Sequence, residues 1–324
     1  MSEVALCGRP SVVCSPVTPV VFSVVMRFTV RSARGSALEH ERQGRCRGDA
    51  ADYAGAMVSP TRGVLYPARL PEFHRLPPEA AARDLAVWFW IPEWSIEPGR
   101  SSRQEIVGYP ALNLVVEQGV VTLSGATTRA SHRDLRGTGW AVGALLRPAA
   151  VAALVDDPAM LVDTEQTVDA PELVEAVSAA MASGEGRRER AVAVFSDWLL
   201  RRVGPLDDAA RHPNALVEVL MGDDSADTIE EAAMRLAVST RTLQRLCHRH
   251  VGVSPAAMIR RRRLQEAAER LRLDPGIDLS GLAAELGYAD HAHLTRDFRN
   301  ILGMAPRTYR TGSSEQSPDE SAQT

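Results

Sequence analysis

The chain has 324 residues, enough for two domains that each bury a core of their own. It is 45% hydrophobic and 24% charged, and it lacks any run of about eighteen uninterrupted apolar residues, so we expect neither a membrane-spanning helix nor a membrane partner. The net charge of -4 is unevenly spread, because residues 228–310 carry fourteen Arg against nine Asp and Glu. A basic region in an otherwise acidic chain indicates contact with nucleic acid.

Cysteine and histidine usage argues against a metal site or a disulfide framework. The chain has four cysteines, with neither CxxC spacing nor a His partner at zinc-ligand spacing: Cys7, Cys14, Cys46 and Cys247. His74 and His132 are too few to build a metal site in the N-terminal half. We therefore expect no cofactor and a reduced, cytoplasmic setting.

Residues 1–57 are rich in Pro, Gly, Ser and Arg and show no sustained apolar period. We expect a disordered extension there, and an alternative is that translation starts at Met57. The polar tail, 313–324, is also expected to be disordered.

Residues 58–160 contain short β-type runs separated by turns: Val87–Ile91, Ala111–Val116, Val120–Leu123 and Trp140–Leu146. A hairpin loop fits Glu117–Gly119. These runs predict a small β-barrel or β-sandwich. Four aromatic residues could either line an effector pocket or pack in the core: Trp88, Phe89, Trp90 and Trp94. Because neighbouring residues on a strand face opposite sides of the sheet, they cannot all line one pocket, and we favour the core for them.

Residues 161–222 have helical patterns at 171–203, interrupted at 184–186, and at 213–221. We expect them to form a helical linker, and we expect the chain to dimerise through this region or through the N-terminal domain.

An internal repeat of about fifty residues occupies 223–312. Ile229, Ala232, Ala233 and Leu236 match Leu279, Leu282, Ala283 and Leu286, both sets at i, i+3, i+4, i+7. Residues 243–255 then parallel residues 294–306. Each copy has the layout of a helix-turn-helix, so the sequence predicts two such units joined by a helix. We expect the two units to share a core, so that a fragment from Asp207 to Gly312 would fold alone and bind DNA.

Helix starts are marked in both units. Thr228 with Glu231 forms a capping-box pattern, Ser239 and Asp290 precede the second helices, and Ser254-Pro255 opens the joining helix. The joining helix has apolar residues at helical spacing: Leu264, Ala267, Ala268 and Leu271. In Arg260–Arg263 the alternatives are a phosphate clamp and a solvated face; we favour the solvated face for Arg260 and Arg261 and a structural role for Arg263.

The second helix of each unit presents polar side chains opposite its predicted apolar stripe. In the first unit the stripe is Leu243, Leu246 and Cys247, and in the second it is Leu294, Phe298 and Ile301. Arg can pair with guanine edges and Gln with adenine edges, while Thr, His and other Arg can hold phosphates. The predicted DNA-binding residues are Arg241, Thr242, Gln244, Arg245, His248, Arg249, His291, Ala292, Thr295, Arg296 and Arg299.

This region resembles the double helix-turn-helix domain of AraC-family transcription regulators. The resemblance is carried by Ser239, Leu243-Gln244-Arg245, Gly252-Val253-Ser254-Pro255, Arg263-Leu264, Ala267, Leu286-Gly287-Tyr288, His293, Arg296, Phe298, Gly303, Pro306 and Tyr309-Arg310. It implies that bases are read by Arg241, Gln244 and Arg245 and by His291, Ala292 and Arg296. The chain departs from the family at Cys247, where a Phe is usual, and at Ala292, which offers a base only a methyl group.

The N-terminal part is similar to the cupin-like sensory domains that precede some AraC-type readers, through the run from VWFWIPEW to SGATTR and GALLRPAA. The resulting expectation is an α+β protein, with a cupin-like β-barrel followed by an all-α reader. Its function would be sequence-specific transcription regulation, modulated by a small-molecule effector. The expected partners are double-stranded DNA at two successive major-groove segments and a second copy of the chain, with RNA polymerase as a further candidate. The alternative is a DNA-binding module fused to an enzyme, such as a DNA-repair alkyl acceptor, or to a redox sensor.

Overall fold

The computed structural model describes residues 72–106, 108–182, 184–222 and 224–314. The predicted extension 1–57 and residues 315–324 of the predicted tail lie outside this part. Eight strands occur in the described residues: β1 (Glu72–Leu76), β2 (Ala86–Ser95), β3 (Ser102–Ile106), β4 (Asn113–Glu117), β5 (Val120–Ser124), β6 (Ser131–Leu135), β7 (Thr138–Leu146) and β8 (Glu165–Val168). The predicted runs lie within β2, β5 and β7, and the run Ala111–Val116 begins two residues before β4 and overlaps it. The predicted hairpin joins β4 to β5, with Glu117 paired to Val120.

The strands form an open sheet rather than the predicted barrel, so that prediction is wrong although the α+β class is confirmed. Six strands pair in the antiparallel order β1-β2-β7-β4-β5-β8, and β3 and β6 form a separate ribbon. The edge strands β1 and β8 do not pair with each other. Two helices, α2 (Pro171–Ala182) and α3 (Arg187–Val203), close the core over one face instead.

Both faces of the sheet are buried, which explains the apolar run in β2. Phe89 and Ile91 point into the core shared with α2 and α3, whereas Trp88 and Trp90 belong to the cluster on the opposite face. The prediction of core packing is therefore confirmed for these three aromatic residues, while Trp94 is half-buried beside a cavity.

The sheet domain extends beyond residue 160, where we expected it to end. β8 continues the sheet to Val168, and α2 and α3 bury Val177, Phe195 and Leu199 in its core. These helices are thus part of the sheet domain and not a linker, because their apolar faces are needed to cover the sheet. The connection to the C-terminal domain uses α4 (Asp208–Arg211) and α5 (Asn214–Met221).

The C-terminal domain contains six helices: α6 (Ile229–Arg235), α7 (Thr240–Val251), α8 (Pro255–Leu273), α9 (Leu279–Glu285), α10 (His291–Leu302) and α11 (Pro306–Ser314). A further short helix, α1 (Pro148–Val151), follows β7, and 3₁₀ turns occupy Ala80–Ala82 and Pro158–Leu161. None of the helices in the described ranges is both long and apolar enough to cross a membrane.

The two repeat units do not share a core, contrary to the expectation. The core of the second unit is a separate cluster that includes Leu264, Leu294 and Phe298. The core of the first unit, with Leu243 and Cys247, is continuous with the Trp88 and Trp90 face of the sheet. The division falls along α8, whose first half joins the sheet-side cluster and whose second half joins the other.

Candidate nucleic-acid interface

The second helix of each unit, α7 in the first and α10 in the second, is its recognition helix. Each begins at a side-chain cap, as predicted from the sequence. The Thr242 N–H donates to Ser239 Oγ at 3.1 Å, and the His293 N–H donates to the Asp290 carboxylate at 2.6 Å. That second bond holds the pKa of Asp290 below its usual value. These bonds satisfy donors that a helix start leaves free, so α7 and α10 begin at defined residues.

The first helices of the units are capped in the same way. Thr228 Oγ1 accepts from the Glu231 N–H at 3.1 Å, and the Glu231 carboxylate accepts from the Asp227 N–H at 2.9 Å. The return bond thus goes to the residue before the cap, and it lowers the pKa of Glu231. In α9 the cap is Asp278, which accepts from the Gly281 N–H at 2.7 Å.

The predicted apolar stripes are buried. Leu243 and Cys247 in α7 are fully buried, as are Leu294 and Phe298 in α10, while Leu246 is half-buried. The outward faces carry the predicted DNA-binding residues: Arg241, Gln244, Arg245, His248, Arg249, His291, Ala292, Arg296 and Arg299 are exposed, and Thr242 and Thr295 are half-buried. The structure brings the first six predicted residues together on α7 and the other five on α10.

Both recognition helices end at a glycine in the left-handed region, Gly252 with φ 87° and Gly303 with φ 76°. The turns inside the two units differ. Gly287 adopts φ 71° in the second, and the equivalent Ala237 adopts φ 53° in the first. An L-residue with a Cβ is strained there, so the first turn carries a local cost that the second avoids.

The exposed faces of α7 and α10 are free of carboxylates, because the one acidic residue of the two helices, Asp297, is buried. It lies 3.3 Å from Arg260 Nε, which crosses from α8. This pair was not predicted from the sequence. The available signal was position, since Asp297 stands three residues after Leu294 and four before Ile301, on the buried stripe.

Arg261 departs most from its prediction as part of a solvated face, because its side chain is buried. It stands three residues from both Met258 and Leu264, so helical spacing places it on the buried side of α8. Arg260 is exposed as expected. The structural role predicted for Arg263 is confirmed, because its guanidinium donates to the carbonyls of Gly287 at 3.2 Å and Asp227 at 2.8 Å.

Two family profiles match the chain. One, described as a helix-turn-helix domain, covers residues 232–312. Among curated relatives, the transcriptional activator RhaS of Escherichia fergusonii is 36% identical over 83 residues, which span 26% of this chain and 30% of RhaS. An AraC-like transcription regulator of Streptomyces antibioticus is 30% identical over 122 residues, 38% of each chain.

The C-terminal domain is an AraC-type helix-turn-helix domain. Its capped recognition helices and their polar faces are those described above. The regulator RipA of Corynebacterium glutamicum is also similar, 35% identical over 105 residues, with 32% of this chain and 31% of RipA covered. The chain therefore spans about a third of the length of the curated relatives it matches.

Outside the AraC-type domain, a profile described as a domain of unknown function, DUF6597, matches residues 74–168, which run from β1 to β8. Among solved structures, ToxT of Vibrio cholerae aligns over 74% of this chain and 97% of its own, with 11% identity and a TM-score of 0.35. CdpR of Pseudomonas aeruginosa aligns over 54% and 46% with 24% identity and a TM-score of 0.27.

Proposed function

We propose that this chain is a sequence-specific DNA-binding transcription regulator. The observation that supports the proposal is the pair of capped recognition helices, each with a buried apolar stripe and an exposed face of Arg, Gln, Thr and His side chains. α8 has 19 residues, about 28 Å at 1.5 Å per residue. With its flanking turns it suits two major-groove segments about one DNA turn, 34 Å, apart on one face of the duplex.

The proposed roles follow from the chemistry of the exposed side chains. Arg241, Gln244 and Arg245 in α7 would read base edges, because they stand in the N-terminal half of the helix that enters the groove. In α10 the equivalent readers are His291, Ala292 and Arg296. The remaining residues would hold phosphates and fix the register: Thr242, His248, Arg249, Thr295 and Arg299.

A selection from a random duplex pool tests the proposal on the full chain. We expect enrichment of one sequence and an affinity that falls steeply with salt, because several arginines would displace counterions. The variant carrying both Arg245→Ala and Arg296→Ala should lose the preference. Arg202→Ala, an exposed arginine of α3, is the matched control and should keep it. A folded wild-type chain that enriches no sequence would contradict the proposal.

We further propose that the sheet domain binds a small organic effector without a metal. A cavity of about 640 Å³ opens where β2, β7 and the β3/β6 ribbon meet the start of α3, and Trp94, Trp140, Gln104, Glu93 and Arg187 line it. Aromatic walls with a few polar groups suit an organic ligand. Elemental analysis of the purified full chain checks this, and stoichiometric, tightly held zinc or iron would contradict it.

The alternative of an alkyl-accepting enzyme finds little support at Cys247. Its thiol is in the core, and burial raises its pKa to about 12. Because the thiolate is the reactive form, such a thiol is a poor acceptor at neutral pH. The other three cysteines, on which a redox sensor would depend, lie outside the described residues.

The remaining partners are also proposals. A homodimer would need a surface other than the apolar faces of α2 and α3, since the sheet buries those faces. Contact with RNA polymerase would follow from a role in transcription activation, and action on the chromosome would place the protein in the cytoplasm.

We propose domain limits at 72–203 for the sensor and 223–312 for the reader, with 204–222 between them.

A further inference from the structure

The side chain of Arg261 crosses from α8 of the reader into the sheet domain and is 3% exposed. Its Nε donates to the Gly108 carbonyl at 2.7 Å, and its Nη2 donates to Thr127 Oγ1 at 2.8 Å and to the Thr127 carbonyl at 3.2 Å. Its Nη1 donates to the carbonyl of Ile301 in α10 at 3.4 Å. Burial lowers the pKa of Arg261 to about 10, so it stays charged at neutral pH and holds both domains through charge-assisted bonds.

Two segments of the sheet domain are bonded to each other beside Arg261. The Thr128 N–H donates to the Asp163 carboxylate at 2.7 Å, and the Asp163 N–H donates to the Ala126 carbonyl at 3.1 Å. Asp163 adopts φ 58°, which lets its backbone and side chain serve the same loop. The loop 125–130 and the turn 158–163 therefore form one unit, which with Arg261 we name the Arg261 clamp.

The Arg261 clamp contacts the ends of both recognition helices. At Gly252, after α7, a Cβ would lie 2.7 Å from the Pro158 carbonyl oxygen. At Gly303, after α10, a Cβ would lie 3.2 Å from Ala130 Cβ. The turn 158–163 thus touches the end of α7, and the loop 125–130 touches the end of α10. Because the two units have separate cores, these contacts hold them relative to each other in addition to α8.

We propose that Arg261 is a positioning residue that fixes the distance and angle between α7 and α10, so that the sheet domain sets which spacing of DNA segments the protein accepts. This rests on the proposed function. The ribbon offers a route for regulation: its Ser102 and Gln104 line the effector cavity, and its other end adjoins the clamp, where Ile106 pairs with Ser131 directly after Ala130. A ligand that shifts the ribbon would shift the clamp.

The test measures how binding depends on spacing. The full chain is titrated with its selected duplex and with duplexes in which one base pair is inserted or removed between the two segments. One base pair rotates a segment by about 34° and moves it by about 3.4 Å. We expect the wild-type chain to lose about tenfold in affinity or more for either change, in line with the cost of one mismatched position.

In Arg261→Met the affinities for the altered duplexes should lie within about threefold of the affinity for the selected duplex, because the distance and angle between α7 and α10 are no longer fixed. Arg270→Met, on the same helix but paired with Glu285 within the second unit at 2.5 Å, is the control and should keep the wild-type penalty. If Arg261→Met does not fold, Asp163→Ala, which separates the loop from the turn, is measured in the same way and should reduce the penalty too.

A folded Arg261→Met or Asp163→Ala variant with the full wild-type penalty would overturn the clamp while leaving the proposed function intact. A wild-type chain that enriches no sequence at all would overturn the proposed function and the clamp together, so the two failures are distinguishable.

Discussion

Ala237 shows how a single backbone angle separates the two copies of the repeat. It holds φ 53° where the second copy has Gly287. A Cβ at this backbone conformation costs about 1–2 kcal/mol in the folded state. Replacing Ala by Gly removes that cost, but it also lowers stability by about 0.4–1 kcal/mol because the unfolded chain gains conformational entropy. We predict that Ala237→Gly raises the free energy of unfolding by about 0.5–1 kcal/mol. Ala284→Gly, at an exposed position inside α9, is the control and should lower it by about 1 kcal/mol. Urea titration decides, and a less stable Ala237→Gly would refute the argument.

A second prediction about a single residue concerns the burial of Cys247 in the core. Its thiol is fully buried and its pKa is raised to about 12 by burial. In a chain in which Cys7, Cys14 and Cys46 are replaced by Ser, we predict that Cys247 reacts with a thiol reagent only as fast as the protein opens. Addition of urea should release the reaction. Rapid labelling of the folded protein at neutral pH would contradict the core position and revive the alkyl-acceptor alternative.

The caps of the recognition helices differ in one respect that pH can reveal. The His293 N–H bond depresses the pKa of Asp290 in the folded state. Its contribution to stability is therefore fully present above the unfolded pKa of about 3.9 and is lost as the pH falls through the folded value. Asp290→Asn keeps a capping oxygen that does not titrate.

We predict that the stability advantage of the wild-type chain over Asp290→Asn shrinks between pH 6 and about pH 2, as measured by urea unfolding. The control is Ser239→Asn at the equivalent cap of α7, where neither side chain titrates. Its difference from wild type should not vary over the same range. An Asp290→Asn difference that is flat with pH would show that the carboxylate charge adds nothing to the cap.

At the level of elements, the sequence predicted what local pattern determines. The repeat, the caps and four strands follow from apolar periodicity and capping residues, as with Thr228, Ser239 and Asp290. Four strands were not predicted, β1, β3, β6 and β8. β3 and β6 pair only with each other, and β1 and β8 are edge strands, so none of them needs the apolar alternation by which a strand is found. The open sheet was also not predicted, because the packing of α2 and α3 over the sheet depends on contacts between distant segments and not on local pattern.

Contacts between domains could not be predicted from local pattern either. Arg261 lies within a run of four arginines, and only the folded structure shows that its acceptors are Gly108 and Thr127, far away in the chain. Because the core of the first unit is continuous with the sheet, an isolated C-terminal domain should be less stable than the same domain in the full chain. We predict that the fragment from Asp207 to Gly312 unfolds at lower urea than the reader in the full chain, because it exposes Val253 and leaves Arg261 without those acceptors. Equal midpoints would contradict the shared core.

For the whole molecule, the central claim is that one chain reads two successive major-groove segments, one with each unit. The direct measurement is pool selection repeated with Arg245→Ala and with Arg296→Ala in the full chain. The account predicts that each variant loses preference at a base position in a different segment, about ten base pairs apart, with a cost of about 1–3 kcal/mol for Arg245. If Arg245→Ala keeps the complete sequence preference and only binds all duplexes more weakly, the residue is a phosphate contact and the claim for the first reader is wrong.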